Sequence, residues 1–210
     1  MSLRFSTSRL GVLVVSVASL MAGCQRIECA EFQLDHPLMG WHWFADLQPG
    51  YTYVNAQGGS VQLVRTEYDR AAAEKRWCHM CACYTELQTD YTCAALNTLF
   101  QCNVDYEGLA GPDENGGSVY YGVNRLASTE RGYSSFGSRD STLEGYVSDY
   151  LPQRFTVRRR ATVMLLTTPV ADVLELTVLD TATAGVEAVW VKKGQGLLAF
   201  RRRGVVWIKQ

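Results

Sequence analysis

Residues 96–106, Leu-Asn-Thr-Leu-Phe-Gln-Cys-Asn-Val-Asp-Tyr, show the clearest two-residue periodicity in the chain. Alternate positions form one mostly apolar face, made of Leu96, Thr98, Phe100, Cys102, Val104 and Tyr106. The other face is mostly polar, with Asn97, Gln101, Asn103 and Asp105. Because successive side chains of a strand point to opposite faces of a sheet, the pattern predicts a β-strand whose apolar face packs inward.

Similar short runs, separated by glycine or polar clusters, occur on both sides of this stretch. Residues 51–55 and 60–69 flank Gln57-Gly58-Gly59, and a glycine pair supplies the positive φ angles that a tight hairpin needs. Residues 118–123 form another candidate strand. The last third of the chain contains five more candidates: Phe155 to Thr168, Val173 to Leu179, Val186 to Lys192, Leu197 to Arg201 and Val205 to Lys209.

Consecutive strands of this length predict an all-β protein: a curved antiparallel sheet, a sandwich or a half-open barrel, with little helix. Helix is expected only at residues 71–76, in parts of 37–48 and in the ambiguous stretch 143–151. Residues 108–117 and 127–142 are rich in turn-forming residues and are predicted to be loops.

The composition excludes two broad classes of protein. With 47% hydrophobic residues and a net charge of -1, the chain is too apolar and too nearly neutral to be disordered as a whole. The balance of 20 Lys and Arg against 21 Asp and Glu leaves no basic excess to bind nucleic acid. One globular domain is expected.

The first 23 residues have the order of an export signal. Arg4 and Arg9 precede an uncharged apolar run from Leu10 to Met21, which is too short to span a bilayer as a helix. The sequence Leu20-Met21-Ala22-Gly23-Cys24 resembles a bacterial lipobox, in which cleavage before the cysteine is followed by its acylation. An ordinary signal peptide, with Cys24 as a structural thiol, is the alternative.

The lipobox resemblance implies palmitate-type acyl chains on Cys24, which anchor the protein to the membrane. We expect no cofactor besides this covalent lipid. Gln25 stands where an aspartate favours inner-membrane retention in enterobacterial lipoproteins, so the resemblance implies the outer membrane. The face of that membrane, periplasmic or cell-surface, stays open. We expect a signal peptide at residues 1–23, a lipidated tether at 24–35 and a single β domain at 36–210.

Two further stretches carry a family resemblance. Residues 43–59 contain aromatic residues, a leucine, a glycine, an aromatic strand and an Asn-x-x-Gly turn. Residues 189–208 contain Lys193-Gly194-Gln195-Gly196-Leu197 before a final aromatic strand. Both resemble small all-β lipoproteins of the Bacteroidota, a group largely without assigned activity. The resemblance implies an all-β lipoprotein domain and transfers no catalytic residue.

Six cysteines remain beyond the lipidated one: Cys29, Cys78, Cys81, Cys83, Cys93 and Cys102. An even number in an exported chain predicts three disulfides, whose pairing the sequence leaves open among 15 possibilities. The alternatives are thiol exchange or a metal site, because Cys78, His79, Met80, Cys81 and Cys83 place soft sulfur ligands and an imidazole close together.

Catalytic candidates are few, and we predict a protein that is not an enzyme. His36 and His42 lie in an aromatic stretch, which favours packing over general base catalysis. The arginine triplets 158–160 and 201–203 are interpreted as solvated strand ends, with anionic lipid headgroups as the alternative. The leading hypothesis is an interaction or accessory subunit with a protein partner in the envelope. The other hypotheses are a half-barrel carrier of lipid or another hydrophobic ligand, and a metal-binding lipoprotein.

Overall fold

The computed structural model describes residues 32–77, 80–107, 117–126, 134–138, 155–179 and 181–210. For residues 71–77, 80–84, 106–107, 134–138 and 182–183, only the backbone is considered below. The predicted signal peptide, Cys24, Cys29, Cys78, His79 and the stretch 143–151 therefore lie outside the described residues. No helix in the described ranges has the length and apolar character needed to cross a membrane.

Within these residues the protein is all-β, as predicted, with eleven strands in one antiparallel sheet that curls into a half-barrel. The strands are β1 (Gly50–Val54), β2 (Ser60–Trp77), β3 (Met80–Cys93), β4 (Thr98–Glu107), β5 (Gly117–Arg125), β6 (Ser134–Ser138), β7 (Phe155–Leu165), β8 (Thr168–Val178), β9 (Ala188–Lys192), β10 (Gly196–Arg202) and β11 (Val205–Lys209). Two 3-10 turns, Pro37–Trp41 and Ala94–Leu96, and a short helix α1 (Thr181–Ala184) complete the described elements.

The strand order is β6-β5-β4-β3-β2-β1-β11-β10-β9-β8-β7. Strands β1 to β6 form one meander and β7 to β11 form a second. The two meanders join in the middle of the sheet, where Tyr53 pairs with Lys209 and Val54 with Ile208. The first and last strands of the domain are therefore neighbours.

Contacts between distant strands show how strongly the sheet curls. β4 and β10 are five positions apart in the strand order, about 24 Å in a flat sheet. Their phenylalanines nevertheless meet, with the Phe100 and Phe200 ring centroids 5.0 Å apart. At the end of β10, Arg202 Nη1 donates a hydrogen bond of 2.5 Å to Thr98 Oγ1 at the start of β4. The concave face thus encloses a core.

Residues 32–44, which we call the plug segment, fill this concave face. The ring of Trp43 stacks on Tyr121 at 4.7 Å, and Phe44 stacks on Tyr91. Tyr121 Oη donates a hydrogen bond of 2.5 Å to the Trp41 carbonyl oxygen. Phe32 is also buried in this core, so the packed region reaches back four residues beyond the expected domain boundary at 36.

One glycine lets the plug segment approach the sheet. Leu197 N donates a hydrogen bond of 2.7 Å to the Trp43 carbonyl oxygen. The preceding residue, Gly196, has φ of +71°, and a Cβ at this position would lie 2.2 Å from that same oxygen. Any other residue would have to push the plug segment away from β10.

The strand predicted from residues 96–106 is confirmed, with Phe100, Cys102 and Val104 fully buried on its inner face. It begins at Thr98, because Leu96 ends a 3-10 turn that Asn97 closes in the left-handed conformation. The hairpin at Gln57-Gly58-Gly59 is also confirmed, with Gly58 at φ of +79°.

Three local predictions were wrong. Residues 71–76 are strand rather than helix, because their backbone pairs with residues 81–86 in β3. Ser134–Ser138 forms strand β6 inside the stretch predicted to be a loop, paired with β5. The run from Phe155 to Thr168 is broken by a turn at residues 166–167, so that β8 begins at Thr168 instead of Val173. In the stretch 37–48, only Pro37–Trp41 is helical, as a 3-10 turn.

Candidate functional site: an apolar cleft on the outer face

A second apolar cluster lies on the outer face of the sheet, opposite the concave core. Its buried members are Leu165, Val173, Ala188, Trp190 and Ala199. Val163, Val170, Leu198, Val206 and Ile208 pack against them and are partly buried. These residues come from the β7–β8 hairpin and from β9, β10 and β11, so the hairpin covers part of the outer face.

A local break in β8 allows the hairpin to do this. Leu174 and Leu176 belong to the concave core, as expected for alternate residues of one strand. Val173 and Val170 both reach the outer cluster, although residues three positions apart face opposite sides of a regular strand. Between them, Asp172 has φ of 55°. On the tip side of Asp172, residues of the hairpin therefore contact the outer cluster, and beyond Asp172 alternate residues contact the concave core, which is a change of face along β8.

The change of face leaves a cleft of about 640 Å³ between the hairpin tip and the ends of β1 and β11. Its apolar lining is Val54, Leu165, Leu166, Val170, Leu198 and Ile208. Polar groups of Asp46, Thr168, Gln195 and Lys209 also line it. An apolar surface with a few polar groups, in this range of volume, is typical of a binding site for a small ligand or an anchoring side chain.

The polar groups include a fixed pair of opposite charges. Lys209 Nζ lies 3.8 Å from Asp46 Oδ1 and 4.2 Å from the centre of the Tyr51 ring. Tyr51 Oη donates a hydrogen bond to Asp46 and accepts one of 3.0 Å from Gln48 N. Burial raises the pKa of Tyr51, and the bond to Asp46 raises it further. Burial lowers the pKa of Lys209, which Asp46 opposes. The tyrosine stays neutral and holds the carboxylate in place.

The hairpin tip forms an exposed apolar lip beside the cleft. Met164 is 60% exposed and Leu166 is 41% exposed. Leu166 also has φ of 54°, an unusual backbone conformation for a leucine, at the turn between β7 and β8. Exposed apolar side chains next to an apolar cleft are typical of a binding surface.

The two described histidines pack in the plug segment, as the sequence favoured. His42 is fully buried: its Nδ1 accepts a hydrogen bond of 3.0 Å from Phe44 N, and its Nε2 lies 3.0 Å from Thr89 Oγ1. Burial lowers the pKa of His42 to about 4. His36 Nδ1 accepts a hydrogen bond from Leu38 N at the start of the 3-10 turn. Both side chains hold the backbone of the plug segment.

The prediction of disulfides is wrong for two of the six cysteines. Cys93 and Cys102 are buried free thiols on the inner face. Cys93 pairs with Thr98 across the sheet, and Cys102 lies between Thr89 and Tyr121, so neither faces another cysteine on a neighbouring strand. Burial raises the pKa of Cys102, which makes it a poor nucleophile.

The remaining cysteines stay predictions. In β2, Arg76 lies opposite Cys81 and Glu74 opposite Cys83. The side chains of Met80, Cys81 and Cys83 lie outside the description, as do Cys29, Cys78 and His79 altogether. Among the side chains that the structure does describe, no group of three His, Cys, Asp or Glu residues could hold a metal ion.

Trp41, Trp43 and Phe44 are buried in the concave core, so their rings are not exposed for stacking on a ligand. The cleft was not predicted from the sequence, although one signal for it is present. Strands β9, β10 and β11 contain apolar residues on both faces, as in Leu197-Leu198-Ala199-Phe200 and Val205-Val206-Trp207-Ile208. Such continuous apolar runs indicate a strand that is covered on both sides.

The chain was also compared with known proteins. It matches no protein-family model, no curated protein and no solved structure.

Proposed function

We propose that this protein is a non-catalytic, lipid-anchored outer-membrane lipoprotein that binds an apolar segment of an envelope protein through the outer cleft. The observation that carries the proposal is the pairing of an apolar cleft with the exposed lip of Met164 and Leu166. Apolar anchors that enter a cleft, surrounded by a wider contact area, are how protein partners gain most of their binding energy.

The filled half-barrel favours this function over a carrier that holds lipid on its concave face. Trp43 and Phe44 are fully buried between the walls of the half-barrel. A fatty acyl chain could enter there only if the plug segment left, which would expose these rings. The outer cleft requires no such rearrangement.

The partner segment should have a large apolar side chain flanked by polar groups. The cleft floor formed by Leu198 and Ile208 would receive the apolar side chain. Asp46 and Lys209 would offer an acceptor and a donor to the flanking backbone or side chains. Met164 and Leu166 would cover the apolar part of the segment from outside.

Photo-crosslinking in native membranes tests this function. A photoreactive amino acid replaces Met164 or Leu166, with Leu179 as the control because it is 56% exposed and does not line the cleft. We expect peptide adducts at positions 164 and 166 and none at 179. Leu198→Trp, which fills the cleft, should remove them, whereas Gln62→Trp on the exposed outer surface should not. Adducts that persist with Leu198→Trp would contradict the proposal.

A small hydrophobic ligand is the second candidate, since a cleft of about 640 Å³ is large enough for one. Mass spectrometry of the same adducts separates the two functions. A lipid rather than a peptide attached at position 166 would favour the carrier.

The anchor has its own test. Because Cys24 follows the apolar run and two small residues, Cys24→Ser should abolish palmitate labelling and release the protein from membranes. Labelling of the variant at the wild-type level would reject the lipobox. For the exported cysteines Cys29, Cys78, Cys81 and Cys83, disulfides remain the leading proposal, and a metal site with His79 and Met80 is the alternative.

A further inference from the structure

Three arginines converge at the end of the half-barrel away from the cleft. Arg125 ends β5, Arg202 ends β10, and Arg203 lies in the turn between β10 and β11. The opposite end of β10, at Gly196, lies about 20 Å away and adjoins the turn that borders the cleft. Any function of these arginines is therefore separate from partner binding at the cleft.

The side chains of Arg125 and Arg202 both lie beside Gly185. A Cβ on Gly185, which has φ of +71°, would lie 3.6 Å from Nε of Arg125 and 3.9 Å from Nη1 of Arg202. The two nitrogens are thus at most about 7.5 Å apart. Arg202 Nη1 is held by its hydrogen bond to Thr98 Oγ1. Arg202 is half-buried, whereas Arg125 and Arg203 are exposed and accessible to a ligand.

Three arginines of the triplets 158–160 and 201–203, by contrast, are paired with carboxylates. Arg159 pairs with Asp172, Arg160 with Glu175 and Arg201 with Glu187, at 2.6 to 2.9 Å. In the described parts of the chain, no carboxylate forms an ion pair with Arg125, Arg202 or Arg203. Burial lowers the pKa of Arg202, and the positive charges of Arg203 and Arg125 lower it further. Bringing like charges together without a counter-ion is unfavourable, and a bound anion would relieve it.

We propose that Arg125, Arg202 and Arg203 form a binding site for a phosphate group. Each guanidinium offers several donors in a planar fork, and forks from three positions suit the several oxygens of a tetrahedral phosphate better than the two of a carboxylate. The phosphate comes from a phospholipid headgroup or from a free phosphate ion, and both sources present the same oxygens.

A thermal-shift titration with inorganic phosphate, on the full lipidated protein in non-ionic detergent, tests the free-ion source. Phosphate should raise the Tm of the wild type. Arg125→Gln should weaken this response at least about tenfold, as expected for the loss of a charge-assisted hydrogen bond. Arg159→Gln is the matched control, because it removes the same charge from an exposed residue that is paired with Asp172. It should respond like the wild type.

Vesicle flotation tests the headgroup source. The Cys24→Ser protein, which has no lipid anchor of its own, should bind vesicles containing phosphatidylglycerol more tightly than vesicles of phosphatidylcholine. Arg125→Gln should reduce this binding and Arg159→Gln should not. Vesicle binding supports a headgroup, and a thermal shift alone supports a free phosphate. Equal behaviour of Arg125→Gln and Arg159→Gln in both assays would overturn the site. Arg125 is chosen over Arg202 because its side chain, unlike that of Arg202, makes no hydrogen bond to a neighbouring strand in the described structure.

Discussion

The two faces of the sheet bury apolar residues in different ways. On the concave face two tyrosine hydroxyls are satisfied: Tyr53 Oη donates to the Leu197 carbonyl oxygen at 2.9 Å, and Tyr121 Oη donates to the Trp41 carbonyl oxygen. Trp43 Nε1 is buried there without a hydrogen-bond partner in the described structure. On the outer face, Trp190 is buried beside Arg201, and its Nε1 likewise has no hydrogen-bond partner in the described structure. The faces differ in the space that they leave, because the plug segment fills the concave core, whereas the outer cluster opens into a cleft. The outer face is therefore the one suited to binding.

The largest loss of stability is expected when an aromatic residue of the concave core is truncated. Phe100 is fully buried and contacts both Trp43 and Phe200 across the half-barrel. Phe100→Ala should lower the free energy of unfolding by about 3 to 5 kcal/mol, because it leaves a cavity between two walls that cannot collapse. Urea denaturation measures this change. A loss below about 1 kcal/mol would mean that the concave core is not closed.

Lowering the pH should destabilise the folded protein, because His42 in the plug segment is buried in its neutral form. Its pKa is about 4 when folded and about 6.5 when unfolded, so between these values the unfolded chain binds more protons. Stability should therefore be fully present above about pH 6.5 and fall by about 3 kcal/mol as the pH drops to about 4.

His42→Asn is the matched variant for this effect. The asparagine oxygen can still accept the bond from Phe44 N, but the side chain does not titrate. Denaturation midpoints at pH 7 and pH 4.5 should differ less for His42→Asn than for the wild type. Identical pH dependence of the two proteins would contradict the role of His42.

Alanine substitutions at Gly194 and Gly196, near the turn between β9 and β10, distinguish the cost of a steric clash from the cost of backbone strain. Both Gly194 and Gly196 have positive φ, but a Cβ on Gly194 meets nothing within 4 Å, whereas one on Gly196 would collide with Trp43. Gly194→Ala should cost about 1 kcal/mol and Gly196→Ala at least about 2 kcal/mol, measured as changes in the free energy of unfolding. Equal losses would mean that the plug segment does not press on β10.

The sequence predicts the concave face better than the outer face, and the reason is physical. The alternation of apolar and polar residues around Phe100 indicates which side chains face inward. This is a local pattern, so it can be recognised without knowing which distant residues make contact. On the other side of β4, Gln101 is polar yet buried, because it bonds to Asp90 and Asn124 on the neighbouring strands. Polarity alone indicates exposure only where polar groups do not satisfy each other.

Tertiary context also overrides local preference elsewhere. The alanine-rich stretch 71–76 favours a helix by composition, but pairing with β3 extends it as a strand. The change of face at Asp172 and the approach of Arg125 to Arg202 depend on how the sheet curls. No residue spacing in the sequence indicates this change of face or this approach. The cleft and the arginine cluster can therefore be recognised only in the folded structure.

The smallest stability effect should come from the cleft. Leu198 is half-buried, and one side of it already faces the open cleft. Leu198→Ala should therefore cost only about 1 kcal/mol of unfolding free energy, well below the cost of Phe100→Ala. The same substitution should nevertheless weaken crosslinking of a partner at Leu166, because it removes part of the surface that receives the apolar anchor. Urea denaturation and crosslinking yield are measured on the same preparation. A variant that loses several kcal/mol would show that the outer face is a second structural core, and one that keeps full crosslinking would place the partner elsewhere.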